Sequence, residues 1–251
     1  MIIRQFPCLK DNYGFLLRDE ASGAVAAVDT PDAAAIDREL EAAGWRLTHI
    51  LNTHWHPDHA GGNLALKARW SCRIIGPKRE AARIPGLDEA VGEGDEVRLG
   101  EAVARVIDTP GHTLGHVVFH FLEAGCAFVG DTIFAMGCGR LFEGTPSQMW
   151  ASLLKVAALP AATELYCAHE YTEANARFAL SVDGANAALR RRAAAVDAMR
   201  ARGAPTVPTR LADELETNPF LRAPAIAASL GLSGVADAEA FAELRRRKDQ
   251  F

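Results

Sequence analysis

Residues Thr53 to Gly62, THWHPDHAGG, place three of the chain's eight histidines and an aspartate within six consecutive positions. Packing such side chains together without a cation leaves several polar groups unsatisfied, at a cost of about 2–7 kcal/mol for each one buried. A metal is the chemistry that collects them. In an extended segment residues two apart point to the same side, so His54 and His56 face one point. Pro57 stops such a strand and redirects the chain, which lets Asp58 and His59 address a neighbouring point. Ala60, Gly61 and Gly62 have little or no side chain, so a helix can start close behind. Two histidines aimed one way and an Asp-His pair aimed another imply two adjacent ions.

Each ion still needs ligands to reach four or five. Three further strand ends offer them: IDTPGHTLG carries His112, CAFVGDT carries Asp131, and ELYCAHEY carries His169. A carboxylate is the side chain here able to bridge two cations, which makes Asp131 the shared ligand. One metal is then expected on His54, His56, His112 and Asp131, the other on Asp58, His59, His169 and Asp131. Taken alone, His112 reads as a structural histidine and Asp131 as a turn-capping aspartate. The H-x-H-x-D-H hexad has no such bland reading. His49, His116 and His120 are expected to be structural.

The elements that position these residues are legible in outline. NYGFLLRD, GAVAAVDT and LTHILNTH read as strands, the last running straight into the cluster, and DAAAIDRELEAAGW reads as a helix with Asp32 near its start. A helical GGNLALKARW, a strand CRIIGP and a β-rich region from Val97 to Asp131 follow. Within that region Glu123-Ala124-Gly125 separates two apolar runs as a hairpin would. A helix around SQMWASLLKVAAL and a strand TELYCAH complete this part. From about Tyr171 alanine and arginine dominate; ANAALRRRAAAVDAMRAR and DAEAFAELRRRK read as helices, broken by Pro205, Pro208 and the NPF at Asn218 to Phe220. The expectation is a β-rich α/β domain over residues 1–170 and a small helical domain over 171–251.

The bulk numbers exclude several classes. With 251 residues, 49% hydrophobic and 24% charged, the chain can bury a sizeable core without metal or disulfide. A net charge of −5 disfavours nucleic-acid binding. Five scattered cysteines, odd in number and without a C-x-x-C pair, suggest reduced thiols in the cytoplasm. The start MIIRQFPCLKDNYGF lacks the unbroken apolar region of a signal peptide, and no run approaches the ~18 apolar residues of a membrane span.

THWHPDHAGG, TPGHT, GDT and AHEYT together resemble the metallo-β-lactamase fold, a four-layer αββα sandwich with metals at one edge of its sheets. In that resemblance Asp29 of AAVDT is an aspartate steadying the metal loop from behind. CGRLFEGTPSQMW, HEYTEANARFAL, TNPFLR and the terminal RRRKDQF resemble glyoxalase II, the hydroxyacylglutathione hydrolases, across nearly the whole chain. The resemblance implies hydrolysis of S-(2-hydroxyacyl)glutathione, chiefly S-D-lactoylglutathione, to glutathione and D-lactate in methylglyoxal detoxification. It implies two divalent ions, Zn with Fe or Mn as alternatives, and assigns catalysis to Asp58, His54 and His56 and the ions they hold. A metal lowers the pKa of bound water to about 7, so a bridging hydroxide can attack the thioester without a dedicated general base. By the same resemblance Arg140, Phe142, Tyr171, Asn175, Arg245 and Lys248 bind the glutathione moiety, Arg245 and Lys248 holding a carboxylate. From the residues alone, RRRK reads instead as solvated charge opposing a helix macrodipole. Phe142 departs from members with Tyr there, losing a hydroxyl contact, and Arg140 replaces a Lys of some members.

Three rival readings are weaker. A glutathione persulfide dioxygenase of the same fold would need one iron, and the complete second ligand set Asp58, His59 and His169 counts against it. A β-lactamase or lactonase would leave the helical region without a role, and a nuclease would need a basic, aromatic-lined stripe. A monomer with a small-molecule substrate and neither nucleic-acid nor membrane partner is expected.

Overall fold

The apolar runs that open the chain form strands because they alternate or stay apolar throughout, and the first of them pair as a hairpin. The computed structural model describes residues 1–251. They fall into two units: Met1–Asp108 with Leu114–Gly130, and Thr109–Thr113 with Asp131–Phe251.

In the first unit, β1 (Ile2–Cys8), β2 (Asn12–Arg18) and β3 (Val25–Val28) pair antiparallel. Helix α1 (Ala33–Ala43) then crosses over to β4 (His49–Leu51), which runs parallel to β3. Helices α2 (Pro57–Ala60) and α3 (Asn63–Trp70) lead to β5 (Arg73–Pro77), and β6 (Glu89–Val91) completes a six-stranded sheet in the order β1 to β6. Parallel neighbours need such crossovers, and their strands are buried on both faces, as Val25–Val28 is throughout. Asp32 caps α1 by accepting from the Ala35 amide, and Gly44, at φ 66°, ends it in the left-handed conformation. The apolar stripe Ala35, Ile36 and Leu40 packs with Leu16, Val25, Ile50, Leu66 and Ile74 into one core cluster. Strands β7 (Glu96–Leu99), β8 (Ala102–Asp108), β9 (Val117–Phe121) and β10 (Cys126–Gly130) follow as antiparallel neighbours, the last two joined by the expected hairpin.

One local expectation is corrected. The strand within LTHILNTH ends at Leu51, so His54 and His56 are not on a strand. Pro57 does not stop a strand; it starts α2 as its first residue, where a missing N–H costs nothing. The proline instead holds His56 extended, at φ −55° and ψ 147°, because its ring crowds the residue before it. Asp58 and His59 thus stand on a single helical turn.

The second unit begins, after Asp131, with the short hairpin β11 (Ile133–Phe134) and β12 (Gly137–Cys138). Helix α4 (Pro146–Ala157) starts with a capping box between Thr145 and Gln148. Strand β13 (Glu164–Cys167), helices α5 (Thr172–Asp183) and α6 (Ala187–Ala201), strand β14 (Thr209–Arg210), then helices α7 (Leu211–Thr217), α8 (Ala223–Ile226) and α9 (Asp237–Asp249) follow. The alanine-rich faces of α5 and α6 pack closely around Met136, through Ala176, Ala179, Leu189, Ala193 and Val196. Phe220 of the NPF break is buried between Phe178 and Phe241, with ring centroids at 5.8 and 6.0 Å.

A buried polar cluster anchors the β11–β12 hairpin to α7. Glu214, fully buried, accepts from the Met136 amide at 2.9 Å, from Thr209 Oγ1 at 2.6 Å, from Asn218 Nδ2 at 2.9 Å and from the Arg192 guanidinium. Asn218 also donates to the carbonyls of Phe134 and Gly137. A buried carboxylate removed from such a set leaves a guanidinium uncompensated. Glu214→Ala should therefore lower stability by about 3–5 kcal/mol, read as a lower urea midpoint; an unchanged midpoint would show that the cluster contributes little.

Candidate active site

Strands β3 and β4 are parallel, so the segments after them emerge at the same edge of the sheet, and Asp29 meets Thr53 there. Asp29 Oδ1 accepts from the Thr53 amide at 2.8 Å, and Oδ2 accepts from Thr53 Oγ1 and from His59 Nδ1, each at 2.8 Å. These bonds decide tautomers. With its proton on Asp29, the Thr53 hydroxyl can only accept from His54 Nδ1, at 3.1 Å. The lone pair of His54 is then on Nε2, and His59, donating Nδ1–H to Asp29, likewise has its lone pair on Nε2. His54 Nε2 lies 2.9 Å from His56 Nδ1, and His59 Nε2 lies 3.5 Å from Asp58 Oδ2. Asn12, at the start of β2, steadies Asp58 through its side-chain amide, 3.2 Å from Oδ2. His54 and His59 are buried; the Asp58 side chain is 39% exposed, open enough for exchange with solvent.

The second unit holds the other three expected ligands, all buried. Asp131 sets one oxygen 3.3 Å from His112 Nε2 and the other 3.4 Å from His169 Nε2. His112 donates Nδ1–H to the Arg140 carbonyl at 2.9 Å, so its Nε2 also carries a lone pair and faces a carboxylate oxygen. Between His59 and Asp58 in the first unit and between His112 and Asp131 in the second, then, acceptor faces acceptor at a distance that repels unless a positive charge lies among them. Imidazole nitrogen and carboxylate oxygen suit Zn, Fe or Mn. Each of the seven residues belongs to a set of His and Asp donors able to hold a metal ion, and the clusters fit a dinuclear site. Aromatic rings brace the second set: Tyr171 stacks on His169 at 4.7 Å, and Phe142 meets the His112 ring edge-on at 5.2 Å.

A cavity of about 540 Å³ in the second unit is lined by His112 and Asp131 and by all six residues expected for substrate: Arg140, Phe142, Tyr171, Asn175, Arg245 and Lys248. They do not stand there equally free. Arg245 is buried, donating to the Cys138 carbonyl at 2.9 Å and to Asp249 at 2.8 Å, while its Nε has no hydrogen-bond partner. Asn175 gives its amide to the Ala135 carbonyl at 3.1 Å. Lys248 is half-buried, and this desolvation, then Arg245, Arg177 and Arg140, push its ammonium down to about 8. Thiols offer no nucleophile: burial pushes Cys8 and Cys167 up to about 12 and Cys138 to about 11.

Several supporting residues escape a reading of sequence spacing. Thr53 and Asn12 act through hydrogen bonds, Asn12 from a hairpin 46 positions away. His116, expected as structural, stacks on His54 with centroids 4.8 Å apart. Gly130 of the GDT motif has φ 47°, and a Cβ there would meet His116 Nε2 and Thr53 Oγ1 at 2.6 Å. Its glycine is a requirement of the imidazole packing. His49 and His120 take no part, and burial lowers the pKa of both.

Comparisons with known proteins agree with this arrangement. The family model of the metallo-beta-lactamase superfamily matches residues 22–169, and that of the hydroxyacylglutathione hydrolase C-terminus matches residues 170–251. The hydroxyacylglutathione hydrolase of Maricaulis maris is 57% identical, with 100% of this chain and 99% of the relative covered. That of Methylococcus capsulatus is 56% identical, with 99% and 98% covered. Among solved structures, ETHE1 from Myxococcus xanthus matches with a TM-score of 0.71 at 28% identity, over 98% of this chain and 90% of that one. No helix is long and apolar enough to cross a membrane. The chain therefore belongs to the hydroxyacylglutathione hydrolase family, with the metallo-β-lactamase fold followed by a C-terminal helical region.

Proposed function

We propose that the chain is a thioester hydrolase cleaving S-(2-hydroxyacyl)glutathione, chiefly S-D-lactoylglutathione, to glutathione and D-lactate, as a cytoplasmic monomer in methylglyoxal detoxification. In this reading residues 1–170 form the catalytic domain and 171–251 bind the glutathione moiety. His54, His56, His112 and Asp131 hold one divalent ion, and Asp58, His59, His169 and Asp131 the other, with Zn the first choice. The observation that carries the reading is one cavity that joins two metal-type ligands, His112 and Asp131, to the cations Arg140, Arg245 and Lys248. A glutathione thioester is such a molecule, with a hydrolysable carbonyl at one point and carboxylates at a distance.

The ions supply the hydrolytic chemistry when bound: they lower the pKa of water and polarise the thioester carbonyl. The chain's own residues do the rest. Asp29 keeps the Nε2 lone pairs of His54 and His59 presented, directly or through Thr53. Asn12 fixes Asp58. Lys248 and Arg140 offer positive charge to a substrate carboxylate, which offsets the desolvation, and then the neighbouring arginine charges, that depress Lys248. Arg245 is already committed to Cys138 and Asp249, so the Nε face is what it has left to offer. The thiolate leaving group needs little protonation, because a free thiol has a pKa near 8.5. Phe142 offers a ring without a hydroxyl.

Protein purified without added metal should contain two ions per chain and hydrolyse S-D-lactoylglutathione with loss of thioester absorbance; a chelator should abolish turnover. At most one ion in active protein, or turnover that survives chelation, would end the binuclear reading. An inert thioester alongside turnover of a β-lactam or lactone would end the substrate assignment.

Lys248→Ala is the cleanest probe of the carboxylate site, since Arg245 also supports the fold. KM should rise about tenfold or more, the worth of one charge-assisted hydrogen bond, with kcat changed far less. An unchanged KM returns Lys248 to a solvated helix end.

The same residue sets a pH dependence. Its ammonium is charged below about 8 and neutral above, so kcat/KM should fall as pH rises through that value. In Lys248→Ala that fall should disappear; its persistence would assign it to another group.

A further inference from the structure

We propose that Glu80 is a positioning residue for the metal centre, its buried carboxylate locking the His54–His56 ligand loop to the turn that precedes β9. The inference rests on the binuclear reading above and adds to it a residue that touches neither ion nor substrate.

Glu80 lies just beyond β5, in a short 3-10 turn, and is 3% exposed. Its two oxygens serve two different segments. Oε2 accepts from the Trp55 amide at 2.9 Å, and Trp55 is the residue between His54 and His56. Oε1 accepts from the Gly115 amide at 2.8 Å, and Gly115 precedes His116, whose ring stacks on His54. A third tie runs alongside, from the Val117 amide to the Thr53 carbonyl at 2.9 Å. One carboxylate therefore spans the two segments whose imidazoles are stacked together.

The turn that carries Glu80 also holds the Trp55 ring. Arg83 donates its amide to the Glu80 carbonyl at 2.8 Å, and its guanidinium carbon stands 3.3 Å from the Trp55 ring centroid. The same indole also meets His56, with centroids 4.6 Å apart and planes at 68°. Amide and ring of Trp55 are thus both gripped from residues 80 to 83, and a shift of Trp55 would move His54 and His56 together.

The chemistry demands a carboxylate. Hydrogen bonds from N–H to an ionised oxygen are about twice as strong as neutral ones, and a carboxylate accepts on both oxygens. An amide of the same shape accepts on one only, and would turn its NH2 against the other backbone N–H. Gly115 is matched to the contact from the opposite side: a Cβ there would lie 2.5 Å from Glu80 Cγ and 2.9 Å from Cδ. Metal–ligand distances tolerate about 0.2 Å, so a loosened loop loses affinity before it loses its fold. Groups that orient ligands in this way are worth about 10–100-fold in metal affinity.

The experiment titrates Zn into metal-free wild-type protein, Glu80→Gln and Gly115→Ala against a chromophoric chelator, and records the Tm of each metal-free form. Both variants should bind at least one ion 10–100-fold more weakly, and excess Zn should restore most of kcat. Wild-type affinity in a variant whose Tm has fallen would overturn the proposal, because Glu80 would then merely satisfy buried amides. Should Glu80→Gln fail to fold, Gly115→Ala decides, since it displaces the carboxylate without deleting it. Wild-type protein that binds fewer than two ions refutes the binuclear reading itself, an outcome separate from any difference between variants.

Discussion

The site depends on where two protons sit. Asp29 accepts from His59 Nδ1 and, through the Thr53 hydroxyl, fixes His54 Nδ1 as a donor, so both imidazoles present an unprotonated Nε2. Reverse either tautomer and an expected ligand would turn an N–H toward the proposed cation. The aspartate holds this position at φ 57°, a left-handed conformation rare outside glycine but tolerated by Asp, whose short polar chain can bond locally. Strain of this kind survives only where surrounding bonds over-determine it. Here three hydrogen bonds to one carboxylate do so, and the parallel pairing of β3 and β4 brings Asp29 and Thr53 to one sheet edge in the first place.

How much of this could be read from the sequence follows from how far apart the partners lie. The seven expected ligand positions could be named from the sequence because the cluster is local and the remaining three sit at the ends of apolar runs, as GDT and AHEYT show. The strand-end logic nonetheless misjudged the local conformation: β4 is only His49–Leu51, and Pro57 opens a helix instead of closing a strand. The types and order of residues were robust to that error, because a pre-proline extended residue and a helical turn aim the same side chains. Helices α5 and α7 were less visible, their apolar positions being small or shared with polar cluster residues such as Glu214 and Asn218. Asn12, Glu80 and Glu214 were invisible for a common reason. Each is a polar residue with a partner far along the chain, at separations of 46, 25 and 78 positions.

Two of the buried carboxylates outside the expected ligand set, Glu80 and Glu214, work in the same way. Each accepts from backbone amides of segments that have no regular partner, a turn beside His56 in one case and the loop after Asp131 in the other. Loops that carry ligands cannot be strands or helices throughout, yet their amides are buried and must be satisfied. An ionised carboxylate does this with two strong acceptors in a fixed geometry, where water would leave the loop free to shift. Rigidity at the ligands is thus supplied by side chains distant in sequence, while the sheet supplies only the platform.

The cavity's cysteine fits the same requirement from the chemical side. Cys138 lines the space with Arg245, whose Nη1 approaches its sulfur at 3.8 Å and would by itself favour a thiolate. Burial outweighs that pull and leaves the thiol at about 11. The buried sulfur therefore stays a thiol at neutral pH. Thioester exchange requires a thiolate, and an ionised Cys138 beside a glutathione thioester would take the acyl group onto the protein, trapping it away from water. Desolvation of this one sulfur, against a neighbouring guanidinium, keeps the proposed substrate cavity open to hydrolysis and closed to transfer.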